Sequence, residues 1–245
     1  VARRDFGPYT AGFVSVAYGD LEELRTALAD PDVVGFLVEP IQGEAGVVVP
    51  PAGYLAAAAA ACREAGVLFI ADEIQSGLGR TGATLACDWE EVVPDVVLLG
   101  KALGGGILPV SAVVSTDEVL GVLNPGEHGS TFGGNPLAMA IGREVVAMLA
   151  EGELQRRSAE LGDHLLSRLR SEAPTSVREI RGRGLWAGIE TTADAGPARP
   201  RCERALELGV IAKETHATTI RLAPPLVIER DDLDHGIDVV LEVLG

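Results

Sequence analysis

Apolar residues in the first half of this chain come in short unbroken runs, while in the second half they recur at helical spacing. The runs Val33 to Val38, Val67 to Ala71 and Val96 to Leu99 are too short for helices and rich in β-branched residues, so each is predicted to be a buried strand. Helices are predicted before and between them. Leu21, Leu24 and Leu28 fall on one face of Leu21 to Ala29, behind an Asp20 N-cap, and Asp30-Pro31 ends that helix. An alanine-rich helix follows from Ala52 to Ala65, with Tyr54 and Leu55 as its packing residues and Gly66 closing it. Strand, helix, strand in steps of roughly thirty residues is the pattern of a parallel sheet. Only nine residues separate Gly100 from Val110. That is too short for a crossover helix, so Val110 to Ser115 is predicted to run antiparallel.

Past Pro125 the texture changes. The polar, glycine-rich stretch Glu127 to Pro136 leads into a long helix with Asn135-Pro136 at its start, an apolar stripe of Leu137, Ile141, Val145 and Met148, and Gly152 as a candidate interruption. A second amphipathic helix carries Leu154, Leu161, Leu165 and Leu169. A strand-like pair spans Val177 to Glu190, broken by GRG; a helix near Arg199 to Leu208, a strand at Thr218 to Leu222 and a last helix with Leu233, Ile237, Leu241 and Leu244 complete the pattern. A domain boundary is placed near Glu151, giving 1–150 and 151–245, the second an α+β unit large enough for its own core. Residues 1–20 read as a loop-rich lead-in, and with Val1 in place of a methionine the chain reads as one that starts partway through something.

Composition narrows the partners. Hydrophobic residues make up 47% of the chain and aromatics only 4%, so the core must be aliphatic. A net charge of -16 argues against nucleic acid and against anionic membranes, leaving small molecules or other protein chains. The three cysteines, Cys62, Cys87 and Cys202, show no CxxC spacing, which suggests neither a disulfide framework nor a metal site and fits a cytoplasmic setting. No run reaches membrane length and no signal-peptide pattern appears.

The candidate chemistry lies at the strand ends. Lys101 directly follows the third strand run and precedes Gly104, Gly105 and Gly106. In α/β sheets ligands bind beyond the carboxyl ends of the strands. A lysine withdrawn from water there favours its neutral amine and can attack a carbonyl, which makes Lys101 a Schiff-base candidate. Glu44 and Asp72 follow the two preceding strands, so the sheet brings three groups distant in sequence to one crevice. A carboxylate beside such a lysine is useful where the carbonyl belongs to pyridoxal phosphate, whose ring nitrogen must stay protonated. A nucleotide-binding module using GGG or SGLGRTG ranks low, because neither fits GxGxxG or the P-loop pattern.

EPIQGEAGVVVP, LFIADEIQSGLGRTG, VVLLGKALGGG, GEHGSTFGGNPL and TTIRLAPPLVI resemble, in order and spacing, the class III pyridoxal-phosphate aminotransferases. The resemblance implies an aspartate-aminotransferase-like α/β fold: here the C-terminal part of a large domain with a mostly parallel sheet, then an α+β small domain. It implies pyridoxal 5'-phosphate as cofactor, with Lys101 forming the Schiff base and moving a proton, Asp72 pairing with the ring nitrogen, and Gln75 bonding the ring's phenolic oxygen. Ser130 and Thr131 would bind the phosphate of a neighbouring subunit's cofactor. Arg221 would grip a substrate carboxylate, and Glu44 would pair with Arg221 while an ω-amino substrate is bound. Glu39, His128, Lys213 and His216 are assigned to structure or to the site's edge. Expected substrates are an ω-amino acid and a 2-oxo acid, ornithine ahead of acetylornithine, in a homodimer or an assembly with a separate N-terminal half. The competing reading is a non-catalytic assembly subunit or remnant.

Overall fold

The computed structural model describes residues 7–245; the first six residues of the predicted lead-in lie outside them. Two sheets of four strands organise the chain. The first has the order β1-β2-β3-β4, with β1 (Gly35–Val38), β2 (Leu68–Asp72) and β3 (Val96–Leu99) parallel and β4 (Ala112–Ser115) antiparallel to β3. The antiparallel return follows from the short Gly100 to Val110 connection, as predicted. Helices α1 (Leu21–Leu28) and α2 (Tyr54–Ala65) cover one face, where Leu24, Leu28, Ala58 and Cys62 pack on Val38, Phe69 and Ala71. Asp20 caps α1 by accepting from the Glu23 N–H at 2.9 Å, and Gly66 closes α2 at φ +71°.

The second sheet is wholly antiparallel, in the order β5-β6-β8-β7, from β5 (Val177–Gly182), β6 (Ala187–Thr191), β7 (Lys213–Thr215) and β8 (Thr219–Leu222). Its core joins Leu165 and Leu169 of α5 (Glu153–Glu172), Cys202 of α6 (Arg199–Glu207) and Leu233, Ile237, Val240 and Leu244 of α7 (Arg230–Leu244) with Ile189 and Ile220 of the sheet. β7 has no counterpart in the sequence pattern. At three residues it is too short to leave a periodic signal.

α3 (Asp117–Leu120) and α4 (Pro136–Ala150) link the two halves. Asn135 caps α4 through the Ala138 N–H at 2.9 Å. The predicted apolar stripe of α4 needs correction. Leu137 and Met148 are exposed, and the buried positions are Ala138, Gly142 and Leu149. The helix is turned because it packs on the turn Lys101–Gly104, where Leu103 approaches the small Gly142. Close approach favoured small residues over large apolar ones.

Candidate active site

Parallel pairing puts the ends of β1, β2 and β3 on one edge. Val38 lies beside Ala71 and Asp72 beside Leu98, so Glu39, Asp72 and Lys101 leave adjacent strands in the same direction. Lys101 has φ +44°, a left-handed conformation unusual for a residue with a side chain. Among the described residues its amine makes no hydrogen bond or ion pair, and the side chain is exposed. This corrects the expectation of a desolvated lysine: Lys101 lies beyond the carboxyl end of β3, and no described element closes over the amine.

Asp72 accepts the Ile74 N–H through Oδ1 at 3.1 Å, leaving its second oxygen uncommitted. Gln75 lies under the backbone of Gly43, where a Cβ would come within 2.6 Å of Oε1 and 2.8 Å of the Trp186 ring. Only glycine permits that approach. The same Gln75 oxygen accepts from Arg221 Nη1 at 3.4 Å, which leaves its NH2 group free to donate.

Arg221 belongs to β8 in the second sheet, yet its guanidinium reaches Glu44 at 2.6 Å. Lys213 Nζ lies 3.3 Å from the other Glu44 oxygen. The Arg221 hydrogen bond above all, with Lys213 adding, holds the Glu44 carboxyl below the usual glutamate range. The loop carrying Glu44 is tied down at its backbone: the Thr215 hydroxyl donates to the Glu44 carbonyl, and Arg181 Nε donates to the Gly46 carbonyl at 2.7 Å.

Glu39, assigned to structure or the edge, stands among Asp72, Lys101 and Glu44 and feels the charge of all three. Burial first, then the negative charge of Asp72, pushes its carboxyl above the usual range, while the Gly43 N–H at 3.2 Å works against that. The Tyr18 hydroxyl donates to the Glu39 and Pro40 carbonyls at 3.1 and 2.9 Å and fixes this strand end. Glu73 is fully buried and accepts from the Ser76 hydroxyl at 2.5 Å and the Cys87 N–H at 2.9 Å, anchoring the segment behind Asp72. Neither Glu73 nor Thr215 was singled out. Glu73 stands next to Asp72 in sequence, and strand alternation, which sends neighbours to opposite faces, is the signal that separates their roles.

Ser130 and Thr131 lie on an exposed loop, with Ser130 Oγ accepting the Gly133 N–H at 3.0 Å. His128 and His216 are exposed. Among the described residues no cluster of His, Cys, Asp or Glu is arranged to hold a metal ion.

A family model, aminotransferase class-III, matches residues 2–244. The chain belongs to this family. It is 54% identical over 242 residues to an ornithine aminotransferase of Bacillus subtilis, covering 99% of this chain and 59% of that relative. A solved ornithine aminotransferase from Toxoplasma gondii superposes with a TM-score of 0.95 at 44% identity, over 98% of this chain and 58% of that one. A solved acetylornithine aminotransferase from Elizabethkingia anophelis gives 0.90 at 40% identity, over 98% and 61%. The chain therefore spans about three fifths of the length of these relatives.

Pyridoxal phosphate is the cofactor of this family, and the residues fit it. The free Lys101 amine suits its aldehyde, the uncommitted Asp72 oxygen suits its ring N–H, and the Gln75 NH2 suits its ring oxygen.

Proposed function

We propose that this chain serves the transamination of an ω-amino acid with a 2-oxo acid, ornithine and 2-oxoglutarate giving glutamate semialdehyde and glutamate in a ping-pong exchange. The observation that carries this reading is the Arg221–Glu44 ion pair, held by Gln75 beside the strand ends that bear Asp72 and Lys101. A guanidinium masked by a movable carboxylate can serve both half-reactions. It is closed when the amine end of a diamino acid is presented, and open when the α-carboxylate of a 2-oxo acid needs a bidentate partner.

When bound, pyridoxal phosphate supplies an electron sink for the carbon that loses its proton. Lys101 Nζ would move that proton, Asp72 would hold the ring nitrogen's proton, and Gln75 would donate to the ring oxygen. Ser130 and Thr131, exposed on their loop, are taken to face the phosphate site of a neighbouring subunit, so the working unit is an assembly of chains, a homodimer or one with a separate N-terminal half. Residues 1–150 are taken as part of the cofactor-binding domain and 151–245 as the small domain. Two core clusters that share no residue support this division. Among the described residues no helix is long and apolar enough to cross a membrane. Three free, buried cysteines support a cytoplasmic setting; burial pushes the Cys62 and Cys202 thiols up to about 11.

Borohydride reduction of the chain mixed with pyridoxal phosphate, followed by peptide mapping, tests the reading. A single label at Lys101, lost in Lys101→Ala, is the expected result. No label at Lys101, with or without a partner half, overturns it in favour of a non-catalytic subunit. The choice of donor is tested by comparing ornithine with acetylornithine in the assembled enzyme, and faster turnover of acetylornithine overturns ornithine as the donor. The likeness to the solved acetylornithine enzyme makes that the second reading.

A further inference from the structure

Glu44 faces two cations. Arg221 holds Oε1 and Lys213 approaches Oε2, at 2.6 and 3.3 Å. The two cations stand opposite each other across the β7–β8 pair, an arrangement that like charges disfavour and that the carboxylate between them relieves. Their freedom differs. The Arg221 side chain is 15% exposed, whereas those of Glu44 and Lys213 are 59% and 60% exposed. Because the Glu44 backbone is pinned separately by Thr215 and, through Gly46, by Arg181, its side chain can change partner without moving the loop.

Resting on the functional reading above, we propose that Lys213 is a positioning residue for the carboxylate switch, keeping Glu44 beside the site when Arg221 is taken by a substrate's α-carboxylate. Opening then replaces a shared ion pair by a single one, instead of releasing Glu44 into water without a cation. A lysine suits this task, since its point charge rides on a flexible stem and can follow the moving carboxylate. The consequence is selective. Ligands that need Arg221, the dicarboxylates, gain from Lys213, whereas a bound ω-amine leaves the three-way pairing intact.

The test uses the full chain incubated with pyridoxal phosphate, with glutarate as probe. Lys213→Met is expected to weaken glutarate binding about two- to fivefold, the scale of an exposed ion pair, and Lys213→Arg to restore most of it. In a Glu44→Gln background Lys213→Met is expected to have no further effect. A carboxyl-carbon NMR titration supplies a readout that a structural role would not move. With glutarate saturating, Glu44 still titrates below the usual glutamate range in the unsubstituted chain and returns to that range in Lys213→Met. An equal loss of binding in the Glu44→Gln background shows that Lys213 attracts the anion directly, which overturns the inference, as does an unchanged Glu44 titration. Glutarate binding that Lys213→Met leaves intact overturns the inference alone, whereas no glutarate binding to the unsubstituted chain, with or without a separate N-terminal half, overturns the functional reading and the inference with it.

Discussion

At the residue scale two carboxylates respond to pH in opposite senses. Glu44 has a depressed folded value, so its pairing with Arg221 contributes above the usual glutamate range and is lost as pH falls through that depressed value. Acid should open this contact only below the usual range, and Glu44→Gln should remove that limb of the pH profile, as read by carboxyl NMR or by the near-ultraviolet signal of Trp186, whose ring lies against Gly43. Glu73 is the reverse. Burial raises it above the usual range against opposing hydrogen bonds from Ser76, Cys87 and Ala86, so its contribution is present at low pH and declines as pH rises through the raised value. Glu73→Ala leaves those donors without a partner in a closed space. The expected loss is about 2–4 kcal/mol in denaturant unfolding.

At the element scale the backbone around Gly184 tolerates no added atom on either side. Within the second half a Cβ on Gly162 of α5 would lie 2.2 Å from the Gly184 carbonyl carbon, and across to the first half one on Gly184, at φ +57°, would lie 2.4 Å from the Thr81 carbonyl carbon. The same junction is closed by Arg80, whose Nη1 donates to the Leu185 and Pro224 carbonyls at 2.8 and 2.6 Å and which burial lowers to about 10. Gly162→Ala is expected to cost roughly 3 kcal/mol or more by overpacking. Calorimetry checks this, with Gly236→Ala on α7, where a Cβ meets open space, as the control that should be neutral or stabilising.

For the whole molecule the balance is between charge and uncovered apolar surface. Leu37 on β1 and Val113 on β4, together with Val146 and Met148 on α4, are about half exposed, while a net charge of -16 adds repulsion between copies. Salt screens that repulsion over about 10 Å at 0.1 M without weakening apolar contact. Light scattering of the purified chain should therefore rise with added salt, and Leu37→Lys with Val113→Lys should suppress the rise. Scattering that falls with salt would show that charge pairing, not the apolar face, drives association.

Local pattern was enough for the positions of the strands β1 to β4, though not for the burial expected of Val33 to Val38, where Val34 and Leu37 are exposed, and for the antiparallel return and the helix caps at Asp20, Gly66 and Asn135, because run length, β-branching and capping chemistry are properties of neighbouring residues. The family motifs likewise stand in the sequence as written. Tertiary structure decided the rest. The face by which α4 packs depended on the room beside Leu103, and the exposure of Lys101 depended on which elements close over a sheet edge. That Lys213 meets Glu44 across 169 residues was fixed by a three-residue strand pairing in register with β8. Such contacts arise when two sheets dock, and no spacing along the chain encodes the distance between them.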